Sequence, residues 1–454
     1  MLTIGLLLTT LMGFLTINCI SARFSWTEQI GLSFPVGLGI QTLLMLAGNM
    51  MGLSLSAANA LCNGTLYCII LLAVLYQFRR NWLDHYHVPT FRWAEKNFAW
   101  WLFMILVIYF EYMNFEKCMY FPTFDRDSLV GFDTIGYVAA QEHTYRNLSL
   151  FNPQYMPQIQ HAGSYITYAP MIQLSYAYVY LLGAETSKII PALMYLSLLI
   201  AFYGCMKRVV TPTAAIIATF FMLITPEMIA FSSLSATNVI HAVTASLGVI
   251  YLSLWFKQRE RRDLYLSVIL LGLNMWTRTD GVVFILAALL VAFVDACRNK
   301  EWKSFLLLFA SFLPAVLWIL FMQIYHFRSE SIAITHFFAD AEKAGIIGKY
   351  FKALLLNKQF YGWSFYAFAV SLLINLPALL KRRNNLALLV MIVVALLLYM
   401  VALYQVDYKW DTIHNVLSYS AKRFLFCFIP LVWCFAFSNE WAVRLFNKIE
   451  QFLK

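Results

Sequence analysis

The sequence predicts an all-α polytopic membrane protein, and three observations support this fold class. Hydrophobic residues make up 61% of the chain and charged residues only 12%, whereas a soluble domain carries about 25% charged residues. The apolar runs are continuous and about 16–24 residues long, which suits membrane-spanning helices and not the roughly ten-residue alternating strands of a barrel. Basic residues cluster in short loops beside these runs, so the net charge of +10 indicates membrane orientation and argues against nucleic-acid binding.

The apolar runs predict about 13 membrane crossings, since a helix needs roughly 20 apolar residues to span a bilayer. They lie at residues 2–20, 30–52, 58–78, 98–118, 187–206, 212–231, 238–256, 264–277, 282–297, 303–325, 360–379, 385–404 and 424–438. The first run lacks a basic segment and a cleavage site, so we expect a retained helix and not a signal peptide. The eight cysteines show neither disulfide nor zinc spacing.

The distribution of charge orients these crossings. The loop 77–97 carries several basic residues and is expected in the cytoplasm. The basic groups after the later helices fall on the same side if 187–206 is the first crossing after the polar stretch 119–186. We therefore expect the apolar segment 168–182 to form a helix that lies at the outer membrane surface or re-enters it. The segments predicted outside are 119–186, 231–238, 276–281, 326–359 and 406–423.

The polar stretch 119–186 contains the first candidate for chemistry, Asp133. This acid shares a helical face with Tyr137, and a carboxylate at the membrane boundary can take a proton from an acceptor hydroxyl as a general base. The alternative is that Asp133 only caps the helix that follows it, because Asp is a preferred N-cap residue. Glu142 and His143 either orient this site or form a solvated helix end.

Basic residues beside two later helices are candidates for phosphate binding. Arg278 and Asp280 lie in a short turn between apolar helices, where charges are costly unless they are functional or paired. Arg278 suits a phosphate through its bidentate fork, although it could instead pair with Asp280. Lys422 and Arg423, at the outer start of the last predicted crossing, suit a clamp on a lipid phosphate. The alternative is a pair of interfacial anchors whose side chains reach the membrane surface.

Aromatic and histidine side chains in QHAGSYITYAP are candidates for sugar contact. His161, Tyr165 and Tyr168 lie within eight positions of one another in this segment. Aromatic faces stack on sugar rings, but aromatic belts are common at membrane interfaces, so the signal is weak.

Together these motifs resemble the GT-C superfamily of integral-membrane glycosyltransferases, in the branch of the protein mannosyltransferases and the lipid A aminoarabinose transferase. The matching features are the acid followed by Tyr and Ala in 131–140, the Pro-led apolar stretch 170–183, the helix 190–208 that ends on a basic pair, and the Arg–acid–Gly turn 278–281. The resemblance covers about 98–438. It divides the chain into N-terminal transmembrane helices 1–97, a catalytic core 98–438 and a cytoplasmic tail 439–454.

By this resemblance Asp133 occupies the position of the catalytic acid, and the donor is a polyprenyl-phosphate or pyrophosphate sugar used on the extracytoplasmic side. Several relatives carry a second acid in the loop that corresponds to 231–238, which has none here. A two-acid metal site is therefore not expected, no cofactor is predicted, and a divalent metal is optional. We expect a bacterial inner (plasma) membrane protein whose active site faces the periplasm or outside.

The predicted reaction is an inverting transfer of one sugar to an acceptor hydroxyl on a glycan, lipid or protein. Asp133 is the expected base. The expected substrate contacts are Tyr137, Glu142, His143, His161, Tyr165 and Asp280, and the expected contacts to lipid phosphate are Arg278, Lys422 and Arg423.

Two other functions stay open from the sequence. A polysaccharide polymerase or ligase typically has several Arg residues in its large loop, and 119–186 has only Arg126 and Arg146. A flippase or transporter for a lipid-linked sugar should place charges and helix breaks at mid-membrane in paired halves, whereas the polar residues here concentrate on one side.

Overall fold

The computed structural model describes residues 1–78, 97–151, 165–327, 332–335, 340–382, 385–408 and 411–453. Within these ranges the chain is mainly helical, with one short antiparallel pair of strands. The first helices are α1 (Leu2–Ile20), α2 (Trp26–Met50), α3 (Ala57–Phe78), α4 (Phe98–Tyr120), α5 (Asp133–Gln141), α6 (Met171–Leu181), α7 (Ile189–Met206), α8 (Pro212–Leu223), α9 (Pro226–Phe231) and α10 (Asn238–Gln258). The remaining elements are α11 (Arg261–Thr277), α12 (Val282–Asn299), α13 (Trp302–Leu308), α14 (Leu313–Ile324), β1 (Ile332–Thr335), α15 (Ala341–Leu355), α16 (Lys358–Tyr361), α17 (Ser364–Arg382), α18 (Leu386–Gln405), β2 (Val406–Tyr408), α19 (Ile413–Phe426), α20 (Ile429–Ser438) and α21 (Glu440–Leu453).

The prediction of an all-α polytopic membrane protein is confirmed. Ten helical segments of the described chain are long and apolar enough to cross a membrane: α1, α2, α3, α4, α7, α10, α17, α18, Thr279–Asn299 and Trp302–Ile324. The helices α19 and α20 form an eleventh candidate that is bent by 41°. The other two predicted crossings are helical but shorter, with 12 residues in α8 and 17 in α11. Helix α8 ends early because Pro226 disfavours helical backbone at the residue before it and starts a new helix, α9.

Small residues bring the first two helices into backbone contact. A Cβ atom added to Gly13 would lie 1.8 Å from the Ser33 carbonyl oxygen, and one added to Gly37 would lie 1.8 Å from the Thr9 carbonyl oxygen. Close approach at small residues is the usual way for helices to gain packing energy inside a bilayer. Gly31 of α2 meets the backbone of α7 in the same way, since its Cβ would lie 2.3 Å from the Ala201 nitrogen. Helix α1 therefore packs on α2, and α2 packs directly on the core helix α7.

A half-buried cation joins four segments at one end of the bundle. The Arg208 guanidinium donates to both carboxylate oxygens of Asp263, at 2.7 and 2.6 Å, and to Glu28 at 3.3 Å. Glu28 also accepts a hydrogen bond of 3.1 Å from the Tyr251 hydroxyl. Asp263 is fully buried and Glu28 nearly so, so the network ties α2, α10 and α11 to the end of α7. We call this the Arg208 end.

The described parts of the polar stretch 119–186 fold back onto the opposite end of the helices, which we call the Asp133 end. It contains a π-helical turn at Ser128–Phe132, then α5 and α6. Helix α6 has 11 residues, or about 16 Å of length, which is too short to cross a bilayer. The residues Met171–Val179 of α6 are nevertheless buried. This helix therefore packs among other helices of the protein, and its position at the membrane surface or in a re-entrant segment stays a prediction.

The last predicted crossing begins earlier than the sequence suggested. Helix α19 starts at Ile413, so Lys422 and Arg423 lie in its last turns and not at the start of a helix at residue 424. The chain bends at Cys427 and Phe428, and Pro430 occupies the first turn of α20. Proline has no N–H for the helical ladder and its ring crowds the preceding turn, which explains the break.

Candidate active site

Asp133 is the first residue of α5, and two hydroxyl groups hold its carboxylate. Tyr180 of α6 donates to Oδ1 at 2.7 Å, and Thr123 donates to Oδ2 at 3.3 Å. The N-cap residue of α5 is Phe132, and Asp133 makes no side-chain cap. The interpretation of Asp133 as a helix cap is therefore wrong. Its side chain points to a tyrosine from another helix instead.

Glycine determines how closely α5 approaches α6. A Cβ atom on Gly136 would lie 2.6 Å from Cβ of Tyr176 and 2.8 Å from the Gln173 carbonyl oxygen. This approach places Tyr180, one turn further along α6, within hydrogen-bond distance of Asp133. The Asp133–Tyr180 pair thus depends on a small residue one turn after the acid.

The tyrosine hydroxyl in this pair stays protonated. Burial raises the pKa of Tyr180, and its hydrogen bond to Asp133 raises the pKa further. A neutral phenol is a fixed hydrogen-bond donor, so it orients the carboxylate of Asp133 without taking its place as a base. The exposed ring of Tyr137 lies edge-on to the Tyr180 ring, with centroids 5.3 Å apart. Tyr137 is therefore an accessible aromatic surface close to the carboxylate.

Tyr165, predicted to contact a sugar, belongs to a packed aromatic group. Its ring meets the Phe132 ring edge-on at 5.4 Å and stacks against Tyr168 at 6.4 Å. A Cβ on Gly131 would lie 2.5 Å from this ring. The Tyr165 hydroxyl donates to Asp127 at 3.0 Å. Asp127 was not among the predicted site residues, although it lies in the acidic segment FDRDS just before α5.

The predicted basic pair reaches the same region, but both cations already have acidic partners. Arg423 forms an ion pair with Asp127, so the end of α19 is joined to the segment before α5. Lys422 forms an ion pair of 2.8 Å with Glu227 of α9 and lies 4.0 Å from the centroid of the Phe360 ring. The first of these pairs joins residues 296 positions apart in the sequence, and both connect α19 to other segments at the Asp133 end.

Arg278 and Asp280 of the Arg–acid–Gly turn form an ion pair with each other. Arg278 donates from Nε and Nη2 to the two oxygens of Asp280, at 2.9 and 2.7 Å, and from Nη1 to Thr237 at 2.9 Å. Its guanidinium lies 5.7 Å from the centroid of the Tyr168 ring. The turn therefore lies next to the aromatic group around Tyr165. Of the two alternatives predicted for Arg278, the structure shows its pairing with Asp280.

One buried histidine near this turn escaped the sequence analysis. His241 of α10 is only 1% exposed. Its Nε2 lies 4.0 Å from Asp280, and its Nδ1 lies 3.3 Å from the Cys427 sulfur. An ionisable residue one turn inside a mainly apolar helix was the available signal, since such residues are costly in a membrane and usually have a role.

Glu142 and His143 lie away from the carboxylate of Asp133 and hold the loop after α5. Glu142 accepts a hydrogen bond of 2.9 Å from the Ser149 backbone N–H. The His143 carbonyl oxygen accepts a hydrogen bond of 2.7 Å from the Leu55 backbone N–H, and its Nδ1 lies 2.8 Å from the Leu55 carbonyl oxygen. The predicted His161 lies outside the described residues.

The residues that the structure describes contain no group of three or more His, Cys, Asp or Glu side chains placed to hold a metal ion. The acids near Asp133 are instead engaged with hydroxyl groups and cations, as with Asp127 and Arg423. The site that these residues build is a carboxylate held by phenol and hydroxyl donors, with cations close by.

Comparison with known proteins finds one family model that matches the middle of the chain. Residues 169–320 match the family model described as Dolichyl-phosphate-mannose-protein mannosyltransferase, which belongs to the GT-C superfamily of membrane glycosyltransferases. The matched region runs from the start of α6 into α14, so it includes Tyr180 and Arg278 but not Asp133, Lys422 or Arg423. Neither the curated proteins nor the solved structures contain a match to this chain.

Proposed function

We propose that this chain, a membrane glycosyltransferase of the GT-C type, moves one sugar from a polyprenyl-phosphate donor to an acceptor hydroxyl with inversion. The observation that carries the proposal is the carboxylate of Asp133, oriented by Tyr180 from inside the matched region. The family description names a dolichyl-phosphate sugar, which is a polyprenyl-type lipid phosphate. The acceptor class, whether glycan, lipid or protein, stays open in this proposal.

The proposed step is a single displacement. Asp133 takes the proton of the acceptor hydroxyl while the hydroxyl oxygen forms a bond to the anomeric carbon. The bond from that carbon to the phosphate oxygen breaks, and the lipid phosphate leaves with the bonding electrons. The hydrogen bond from Tyr180 fixes which carboxylate oxygen is engaged, so Oδ2, held only by Thr123 at 3.3 Å, is the freer one to act as the base.

The cations proposed to contact the leaving phosphate are Arg278, Lys422 and Arg423. Positive charge that faces the developing phosphate charge is the usual electrostatic contribution to such a step. Each of these cations already has a carboxylate partner, namely Asp280, Glu227 and Asp127. A phosphate bound there would share the cation with an acid, which weakens its attraction.

The distribution of charge supports an active site on the extracytoplasmic side. The basic groups at 207–208, 257–262 and 298–303 lie at the Arg208 end of their helices. Loops rich in Lys and Arg usually stay in the cytoplasm. By this rule the Asp133 end faces away from the cytoplasm, which in a bacterial inner membrane is the periplasm or the outside.

The proposed function is tested by transfer with the purified protein in detergent. A radiolabelled polyprenyl-phosphate sugar and candidate acceptors are mixed with the protein, and glycosylated product and free lipid phosphate are measured. We expect both in equal amounts. Binding of the donor without any product would support a flippase, and repeated transfer that builds a chain would support a polymerase.

Tyr180→Phe tests how much the oriented carboxylate contributes. The ring and its packing against Tyr137 are kept, but the hydroxyl that holds Asp133 is lost. We expect kcat to fall about tenfold, because a hydrogen bond to a charged group contributes about 1.5–3 kcal/mol, while the donor KM stays near that of the wild type. Tyr178→Phe is the matched control, since its hydroxyl bonds Gly5 and Thr9. Equal kcat values for Tyr180→Phe and the wild type would contradict the role of Tyr180 in positioning Asp133.

A further inference from the structure

Two lysines near Asp133 have no carboxylate partner among the residues that the structure describes. Lys188, just before α7, donates from its ammonium to the Phe121 carbonyl oxygen at 2.7 Å. Lys117, in the last turns of α4, donates to the Ile229 carbonyl oxygen at 3.0 Å. An ammonium has three N–H donors, and one carbonyl satisfies only one of them. Both differ in this respect from Arg278, Lys422 and Arg423.

Lys188 is also almost completely buried. It is 1% exposed, and a buried cation is costly unless an opposite charge compensates it. Burial lowers the pKa of Lys188, Lys117 lowers it further, and the charges of Asp125 and Asp133 oppose this shift. Lys188 bonds Phe121, which lies two positions before the Thr123 that donates to Asp133, and the described residues show no ion pair between Lys188 and Asp133.

The surroundings of the two lysines supply further hydrogen-bond donors. Ser187, next to Lys188, is fully buried and donates to Ser235 at 2.9 Å. Ser233 lies in the same loop as Ser235, residues 231–238, and its buried hydroxyl has no hydrogen-bond partner among the described residues. Two cations and an unsatisfied hydroxyl are a donor set that suits the oxygens of a phosphate.

The outer part of α4 offers a route from the lipid to this site. Tyr120 and Phe121 are 82% and 54% exposed, while the carbonyl of Phe121 contacts Lys188 directly. Only 22% of the residues in the apolar part of α4 are buried inside the protein, so this helix is exposed at the protein surface along most of its length. A lipid-linked phosphate that follows α4 would arrive beside Lys117 and then Lys188.

We propose that Lys188 and Lys117 form the binding site for the phosphate of a polyprenyl-phosphate lipid. This inference rests on the proposed function, because it adds Lys188 and Lys117 to the ion-paired Arg278, Lys422 and Arg423 as contacts of the donor phosphate. It places the leaving group on the side of Asp133 that faces α4.

The test is binding of undecaprenyl phosphate to the purified full chain in nanodiscs, with undecaprenol as the phosphate-free control lipid. The variants are Lys188→Met, Lys117→Met and the charge-conserving Lys188→Arg. Lys349→Met, on the exposed face of α15, is the matched control for the loss of one positive charge. We expect about tenfold weaker binding of undecaprenyl phosphate in each Met variant, partial recovery in Lys188→Arg, and unchanged binding of undecaprenol.

The outcomes separate the two proposals. Wild-type affinity in both Met variants would overturn the lysine site and leave the proposed function in place. A wild-type protein that does not prefer undecaprenyl phosphate over undecaprenol would contradict the donor class itself. Equal competition by inorganic phosphate or by phosphatidylglycerol would show a general anion site and overturn the assignment to the donor. If Lys188→Met does not fold, Lys117→Met decides, because Lys117 is half-buried and its loss is better tolerated.

Discussion

Asp133→Asn is expected to lower kcat for sugar transfer by about 10²–10⁴-fold, the range that a positioned general base contributes. The amide has the same shape and keeps an oxygen that can accept the hydrogen bond from Tyr180. It cannot take a proton from the acceptor hydroxyl. Donor binding and the folded state should therefore stay near those of the wild type.

Transfer by this variant is measured at saturating donor, beside its thermal denaturation and its binding of undecaprenyl phosphate. Glu185→Gln is the matched control, because Glu185 is an exposed acid in the same polar stretch. Wild-type kcat in Asp133→Asn would rule out Asp133 as the base. A fall in kcat that is matched by Glu185→Gln would point to a general charge effect.

Arg208→Met is expected to lower the free energy of unfolding by about 3–5 kcal/mol, since removal of one partner leaves buried charges uncompensated. Asp263 and Glu28 are almost fully buried and have Arg208 as their shared cation. Methionine fills similar space but cannot donate to either acid. The variant should therefore lose folded protein in detergent far more readily than the wild type.

Arg259→Met is the control for Arg208→Met. Arg259 also pairs with an acid through its guanidinium, Asp295 at 2.7 Å, but its side chain is 41% exposed. Exposed pairs contribute about 0–1 kcal/mol, so this change should have a small effect. Thermal denaturation of both variants in the same detergent gives the comparison, and similar losses for the two would contradict the buried network as a main support of the bundle.

Composition and run length were sufficient to predict the fold class. Apolar residues in long continuous runs must form helices in a bilayer, because each backbone polar group has to be paired within its own segment. They did not predict where helices break. Pro226 and Pro430 shorten or bend two predicted crossings, and a hydropathy window averages over a single proline.

Helices in the polar stretch were harder to place for a related reason. The segment 168–182 is apolar enough for either a membrane surface or a protein interior, and composition does not distinguish the two. Its burial depends on close approach to α5 at Gly136, a contact between residues distant in sequence. The charge distribution correctly kept this segment from being counted as a crossing, since α6 has only 11 residues.

The sequence placed Asp133, Arg278 and Arg423 in one site, and the structure does bring their segments to the same end of the bundle. The partners of these residues were not predictable. Asp127 meets Arg423 across 296 positions, and Tyr180 meets Asp133 across 47. Such pairs are set by helix packing and have no local signature. The buried Lys188 looked like an ordinary loop cation until its surroundings were known.

The anomeric configuration of the product tests the central claim most directly. The purified wild-type protein is given a polyprenyl-phosphate sugar of defined configuration, and the new glycosidic bond is assigned by NMR. A single displacement with Asp133 as the base predicts a product of inverted configuration. A product that retains the donor configuration would contradict it, because retention requires two displacements or a different course of reaction.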